Sequence, residues 1–154
     1  MNYSDMLKRD LVFLDVDAKN RQDLFRQIAA KLVARGYVKD SYERALNQRE
    51  DEFPTGVVFP EISVMLPHAD PQNVRQAFLA VVKVQKPVHI LQMGYNTPED
   101  AEAMFFLGIT DSSQQVGLLQ LFTDLLQNKQ FVADFRRIDD PEAMYELVFN
   151  RINQ

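Results

Sequence analysis

The sequence predicts an α/β domain in which helices cover a mixed β-sheet, and three observations carry that expectation. Apolar runs of strand length recur at residues 11–16, 57–59, 62–66, 77–84, 88–93 and 104–110. Apolar residues at helical spacing follow residues 20, 41, 115, 130 and 140. Strand-like and helix-like segments are mixed along one chain of 154 residues, a length for one domain, here taken as residues 1–154.

The elements are justified in order. Leu11-Val12-Phe13-Leu14-Asp15-Val16 is a short apolar run suited to a strand. Asn20 reads as a helix cap with Asp23 three residues on, and Leu24, Phe25, Ile28, Ala29, Leu32 and Val33 follow at helical spacing until Gly36. A second helix is expected from Ser41 to about Glu50, with Tyr42, Ala45 and Leu46 inward and Arg49 at its end. Phe53-Pro54-Thr55-Gly56 is a turn signal. Two strands are expected at Val57–Phe59 and Ile62–Leu66, then a loop bounded by Pro67 and Pro71. Ala77–Val84 and Val88–Met93 read as β-rich segments separated by Gln85-Lys86-Pro87, and Met104–Thr110 as a core strand. The last third reads as helical. Val116, Leu118, Leu119, Phe122, Leu125 and Leu126 form one apolar face, and Phe131, Phe135 and Ile138 suit a short helix. Asp139 or Asp140 caps a final helix with Pro141 in its first turn and Met144, Leu147, Val148 and Ile152 inward.

Composition narrows the function. The net charge of −5 makes recognition of nucleic acid through phosphates a poor expectation. There is no cysteine, which excludes disulfides, thiol nucleophiles and thiolate metal sites. Met1-Asn2-Tyr3-Ser4-Asp5 leads into mixed charge rather than a leader sequence, and no apolar run approaches a membrane span. The expectation is a cytoplasmic protein with no direct membrane insertion. The two histidines, His68 and His89, are not at metal-ligand spacing, and neither a phosphate-binding glycine loop nor a nucleophile elbow is present.

Two local features stand out. Met65-Leu66-Pro67-His68-Ala69-Asp70 places an imidazole where a strand ends, a position from which a neutral ring nitrogen can take and return a group. A surface-loop histidine without a role has the same local sequence. Arg49 precedes Phe53-Pro54-Thr55-Gly56, and its planar fork of donors suits phosphate. Thr55 adds a hydroxyl, and Gly56 permits close backbone approach. The alternative is a helix-terminal arginine beside a solvated acidic run, Glu50-Asp51-Glu52. His89, inside Val88-His89-Ile90-Leu91, reads as a structural histidine with one nitrogen hydrogen-bonded.

Taken together, Arg49-Glu50-x-x-Phe53-Pro54-Thr55-Gly56 and Val64-Met65-Leu66-Pro67-His68 resemble the signature of fructose/mannitol-type EIIA domains of the bacterial sugar phosphotransferase system (PTS). The wording Glu52-Phe53-Pro54-Thr55-Gly56 and the length are most similar to galactitol-type EIIA proteins. The resemblance covers almost the whole chain. It implies a mixed sheet sandwiched by helices. It implies that His68 accepts a phosphoryl group from phospho-HPr and passes it to a cysteine of an EIIB partner. The membrane component EIIC is then reached only through EIIB. Arg49 aligns with an arginine that stabilises the phosphorylated state. Thr55 and Gly56 line the same pocket, and Pro67 fixes the strand end. No metal or other cofactor is called for. Many members carry a second histidine at the start of the leucine-rich helix, and Gln115 stands there in this chain. Glutamine can donate a hydrogen bond to a phosphoryl oxygen but cannot carry a titrating proton. Uptake of galactitol or a related sugar is the implied role, with a regulatory EIIA-like protein as the alternative.

Overall fold

The computed structural model describes residues 3–153. Met1, Asn2 and Gln154, which belong to the expected domain and in part to the segment read for a leader, lie outside the described residues. A 3-10 turn at Tyr3–Met6 leads into β1 (Leu7–Val16), followed by α1 (Arg21–Ala34), α2 (Tyr42–Glu52), β2 (Gly56–Val58) and β3 (Ser63–Met65). A second 3-10 turn at Pro71–Asn73 precedes β4 (Phe78–Leu91) and β5 (Pro98–Gly108). Three helices close the chain: α3 (Gln114–Leu126), α4 (Lys129–Arg137) and α5 (Pro141–Ile152).

The five strands form one sheet in the order β1-β4-β5-β3-β2. β1 runs parallel to β4 and β3 parallel to β5, whereas β4–β5 and β2–β3 are antiparallel. The sheet is therefore mixed, as expected. Its central strands read as unbroken apolar runs because both faces are buried. Along β4, Phe78, Ala80 and Val82 join a core under α1 and α2 with Phe25, Ile28, Tyr42 and Leu46. Leu79 and Val81 point the other way, into a core under α3, α4 and α5 with Phe122, Phe131, Phe135 and Val148. β5 alternates likewise, with Phe106 against Phe25 and Phe105 against Phe122 at ring separations of 5.7 and 4.8 Å. Among the described residues no helix is long and apolar enough to cross a membrane.

The helix boundaries follow their caps. The Asn20 side chain accepts the Asp23 N–H, and Gly36 leaves α1 at φ +80°, a conformation that favours glycine. Asp140 accepts the Ala143 N–H with Pro141 in the first turn. Three expectations need correction. The segments around Gln85-Lys86-Pro87 form one strand, β4, with a register break between Lys83 and Val88. β1 pairs with β4 only as far as Val84, so Pro87 lies where one neighbour is already lost and its missing N–H costs no ladder bond on that side. β5 begins at Pro98, because the charged stretch Glu99-Asp100 is held by pairing to Ile90 and His89 rather than by burial. Val116 is 78% exposed; the buried stripe of α3 is Gln114, Leu118, Phe122 and Leu126.

Candidate functional site

β3 delivers the chain to the edge of the sheet, and Leu66-Pro67-His68 continue from it. The Leu66 N–H donates to the Thr55 carbonyl at 3.1 Å, and the Pro67 carbonyl accepts the Leu107 N–H at 2.9 Å. Pro67 thus closes the strand with no donor of its own to satisfy. His68 is buried, 4% exposed, on this fixed segment. Its Nδ1 lies 2.9 Å from the Leu66 carbonyl oxygen. A carbonyl can only accept, so Nδ1 carries the proton and Nε2 presents the lone pair. Nε2 is shut off from the surface and has no hydrogen-bond partner among the described residues.

Burial pushes the His68 pKa below 6.5, opposed by the Leu66 hydrogen bond; the Arg49 charge lowers it further and Asp70 raises it. The neutral, nucleophilic form is favoured at neutral pH. Below 6.5 an unfolded chain takes up this proton before the folded one does. The contribution of His68 to stability therefore declines as pH falls from there through the folded-state pKa. With only two histidines in the chain, an NMR titration reads this directly. The His68 ring signals are expected to titrate with a midpoint below 6.5. A midpoint at or above that value would contradict the buried, Nδ1-bound geometry.

Arg49 lies in the last turn of α2, with its side chain 26% exposed. Its Nη1 is 3.3 Å from Asp70 Oδ1, two residues beyond His68, and its guanidinium lies 5.6 Å from the centroid of the Phe53 ring. The guanidinium Nε is buried without a partner among the described residues. Arg49 and Asp70 line a surface cavity of about 280 Å³ together with Arg44, Gln48 and Asn73. The Arg49 charge thus acts on His68, and Arg49 is paired to the residue two positions beyond it.

Thr55 and Gly56 are placed differently. Thr55 is 2% exposed, and its hydroxyl and N–H both donate to Glu50, at 2.8 and 2.6 Å. Its hydroxyl proton is committed to a carboxylate, so Thr55 ties down the loop instead of offering that proton to a ligand. Gly56 is needed for close approach, and the group approached is protein. A Cβ there would collide with Ile90 Cδ1 and lie 2.5 Å from the Leu91 carbonyl oxygen. That oxygen is backbone and yields little, so Gly56→Ala is expected to cost about 1–3 kcal/mol. The loss is read as a lowered melting temperature; an unchanged one would mean that β2 and the end of β4 can separate freely.

Gln115 is half-buried in the first turn of α3, its N–H donating to Ser112 at 3.3 Å. Its neighbour Gln114 is the buried one. The Gln114 Oε1 accepts the N–H groups of Thr110 and Asp111, which fixes the turn from β5 into α3. His89 lies in β4 as expected and is exposed, its Nδ1 3.5 Å from Asp100 Oδ1. Among the described residues no cluster of His, Cys, Asp or Glu is built to hold a metal ion.

Glu50 corrects the reading of a solvated acidic run. It is 4% exposed, and burial raises its pKa against the opposing bonds from Thr55 and the charge of Arg21. The signal was present in the spacing: Tyr42, Leu46 and Glu50 fall at i, i+4 and i+8 on the buried stripe of α2. Gln114 extends the stripe of Leu118 and Phe122 in the same way.

Comparison with known proteins bears on the family and the fold. Residues 5–151 match the family model of the phosphoenolpyruvate-dependent sugar phosphotransferase system, EIIA 2. The PTS system galactitol-specific EIIA component of Escherichia coli (strain K12) is 25% identical over 132 residues, covering 86% of this chain and 87% of that protein. The transcriptional regulator ManR of Bacillus subtilis (strain 168) is 29% identical over 115 residues, 75% of this chain and 16% of the regulator. Enzyme IIAMTL of Escherichia coli, solved in complex with phosphorylated enzyme IIBMTL, shares the fold with a TM-score of 0.74 at 18% identity over 94% of this chain and 99% of that one. On the family match, which spans nearly the whole described chain, this protein belongs to the EIIA 2 family of the phosphoenolpyruvate-dependent sugar phosphotransferase system and is a phosphotransferase component.

Proposed function

We propose that the chain, as one EIIA domain over residues 1–154, is a phosphocarrier that takes a phosphoryl group from phospho-HPr on Nε2 of His68 and passes it to the cysteine of an EIIB partner. The observation that carries this is the bare, Nδ1-locked imidazole of His68 within reach of the Arg49 charge. In the first step the Nε2 lone pair forms an N–P bond while the donor's N–P bond breaks and its electron pair returns to the donor imidazole. As Nε2 gives up its pair the ring gains positive charge, and the Leu66 carbonyl stabilises the Nδ1–H. Negative charge on the phosphoryl oxygens is met by Arg49, with Gln115 as a neutral donor. In the second step the EIIB thiolate forms an S–P bond, and the pair returns to Nε2. Nε2 is closed from solvent at rest, so docking of the donor has to displace its cover. Arg49 is lightly held for such a movement, by one 3.3 Å contact and by stacking on Phe53, which is 61% exposed.

The cytoplasmic face of a galactitol-type system, with EIIC reached through EIIB, is the setting favoured by the match to the galactitol-specific component. The test is phosphorylation from phosphoenolpyruvate with enzyme I and HPr, read by intact mass and acid lability, followed by addition of a galactitol-type EIIB. One acid-labile phosphate that leaves on adding EIIB is the expected result. A stable label or none overturns the reading. The match to part of ManR favours a second reading, in which phosphorylation controls a partner. A phosphoprotein that no EIIB discharges, yet which binds a regulator in only one phosphorylation state, would select it.

A further inference from the structure

We propose that Glu50 is the positioning residue of this site: its buried carboxylate holds Thr55, and through Thr55 it holds the Leu66 backbone that decides which nitrogen of His68 carries the proton. The proposal rests on His68 being the phosphoryl acceptor and adds how its reactive form is selected.

The contacts form one continuous chain. Glu50 Oε2 accepts the Thr55 N–H at 2.6 Å, and Oε1 accepts the Thr55 hydroxyl at 2.8 Å. The Thr55 carbonyl accepts the Leu66 N–H at 3.1 Å, and the Leu66 carbonyl accepts from His68 Nδ1 at 2.9 Å. Both backbone polar groups of Leu66 are thereby used, one toward Glu50 and one toward the imidazole. A carboxylate removed from water is costly unless its oxygens are met by donors, and here both are met by one residue. A residue needed only to fill the end of α2 would be served better by an apolar side chain, since Tyr42 and Leu46 occupy the same stripe. The carboxylate instead does what an apolar group cannot, which is to clamp both donors of a single loop residue. Glu50 does not contact Nε2 itself. It acts on the carbonyl that accepts from the other nitrogen, and the group that fixes the second nitrogen of an imidazole sets its tautomer.

The test uses the full chain carrying Glu50→Gln, which keeps the shape of the side chain but leaves one of its two terminal atoms unable to accept. Nitrogen-resolved NMR of the unphosphorylated protein reads the His68 tautomer, and steady-state kinetics with phospho-HPr read the transfer. Wild type is expected to show Nδ1–H alone. The variant is expected to show mixed tautomers, with kcat lowered about tenfold, the lower end of what removing such an orienting group does, and with KM for phospho-HPr unchanged. A folded variant with the wild-type tautomer and kcat overturns the proposal, whatever its melting temperature. If Glu50→Gln does not fold, Thr55→Val, which deletes the hydroxyl and keeps the N–H, gives the same two readouts with a smaller expected change. The tautomer is measured without phosphate, so it stands apart from the acceptor assignment. A label persisting on His68→Ala would refute that assignment and leave the tautomer result intact.

Discussion

Replacing His68 with alanine is expected to abolish phosphorylation: the single acid-labile phosphate expected on the wild type should be absent, and the fold should remain. The reasoning is one of address. An acid-labile phosphate points to an N–P bond, and the chain offers two imidazoles and no thiol. His89 is exposed on β4 opposite Asp100 and lies outside the Pro-His motif. Among the described residues it has neither the Nδ1–carbonyl lock nor an arginine ion-paired to its own segment. The variant loses the bond to the Leu66 carbonyl and leaves that acceptor unpaired, a cost on the order of 1–3 kcal/mol, so circular dichroism and a melting curve belong beside the mass measurement. A label that survives at full stoichiometry in a folded His68→Ala protein would remove His68 from the mechanism.

Arg49→Ala is expected to slow transfer by about two to three orders of magnitude, the usual effect of deleting one donor that meets charge developing in a transition state. Stability should change by under about 1 kcal/mol, because the ion pair to Asp70 is a single 3.3 Å contact at a 63% exposed carboxylate. The two readouts therefore separate sharply. Arg49→Lys should fall between, keeping the charge and losing the planar fork. The arginine also depresses the pKa of His68, so its removal should move the ring titration upward. Stopped-flow or quenched-flow transfer from phospho-HPr reads the rate, and wild-type rates in both directions would show that Arg49 does not touch the phosphoryl group.

Much of this molecule is written in local pattern. Asn20, Gly36, Asp140 and Pro141 mark helix ends through bonds that involve neighbours within a few positions, and such bonds survive reduction to a string of letters. The double burial of β4 and β5 is legible as continuous apolar sequence. His68 and Arg49 stood out because proline and glycine punctuate the segments beside them. What local pattern does not show depends on partners far along the chain or on polar groups in apolar stripes. Glu50 and Gln114 are inward by spacing, although their side chains are polar. Nothing local in the sequence says that Glu50 takes the Thr55 hydroxyl proton. The extension of β5 to Pro98 depends on pairing with β4, and the ladder carries residues whose own preferences would not.

The bond from the Leu107 N–H to the Pro67 carbonyl has a consequence for how the protein is made. β3 has a parallel neighbour in β5, so the motif that carries the proposed phosphoryl acceptor waits for a strand synthesised much later. A nascent chain that has emerged only as far as the start of β4 contains Arg49, Glu50, Thr55 and His68, but lacks the strand that pins their loop. Parallel pairings of this kind close long loops before they are rewarded, and they form late and slowly. Catalytic competence should therefore appear only after β5 has left the ribosome and docked, as one of the last events of folding rather than a property of the motif itself.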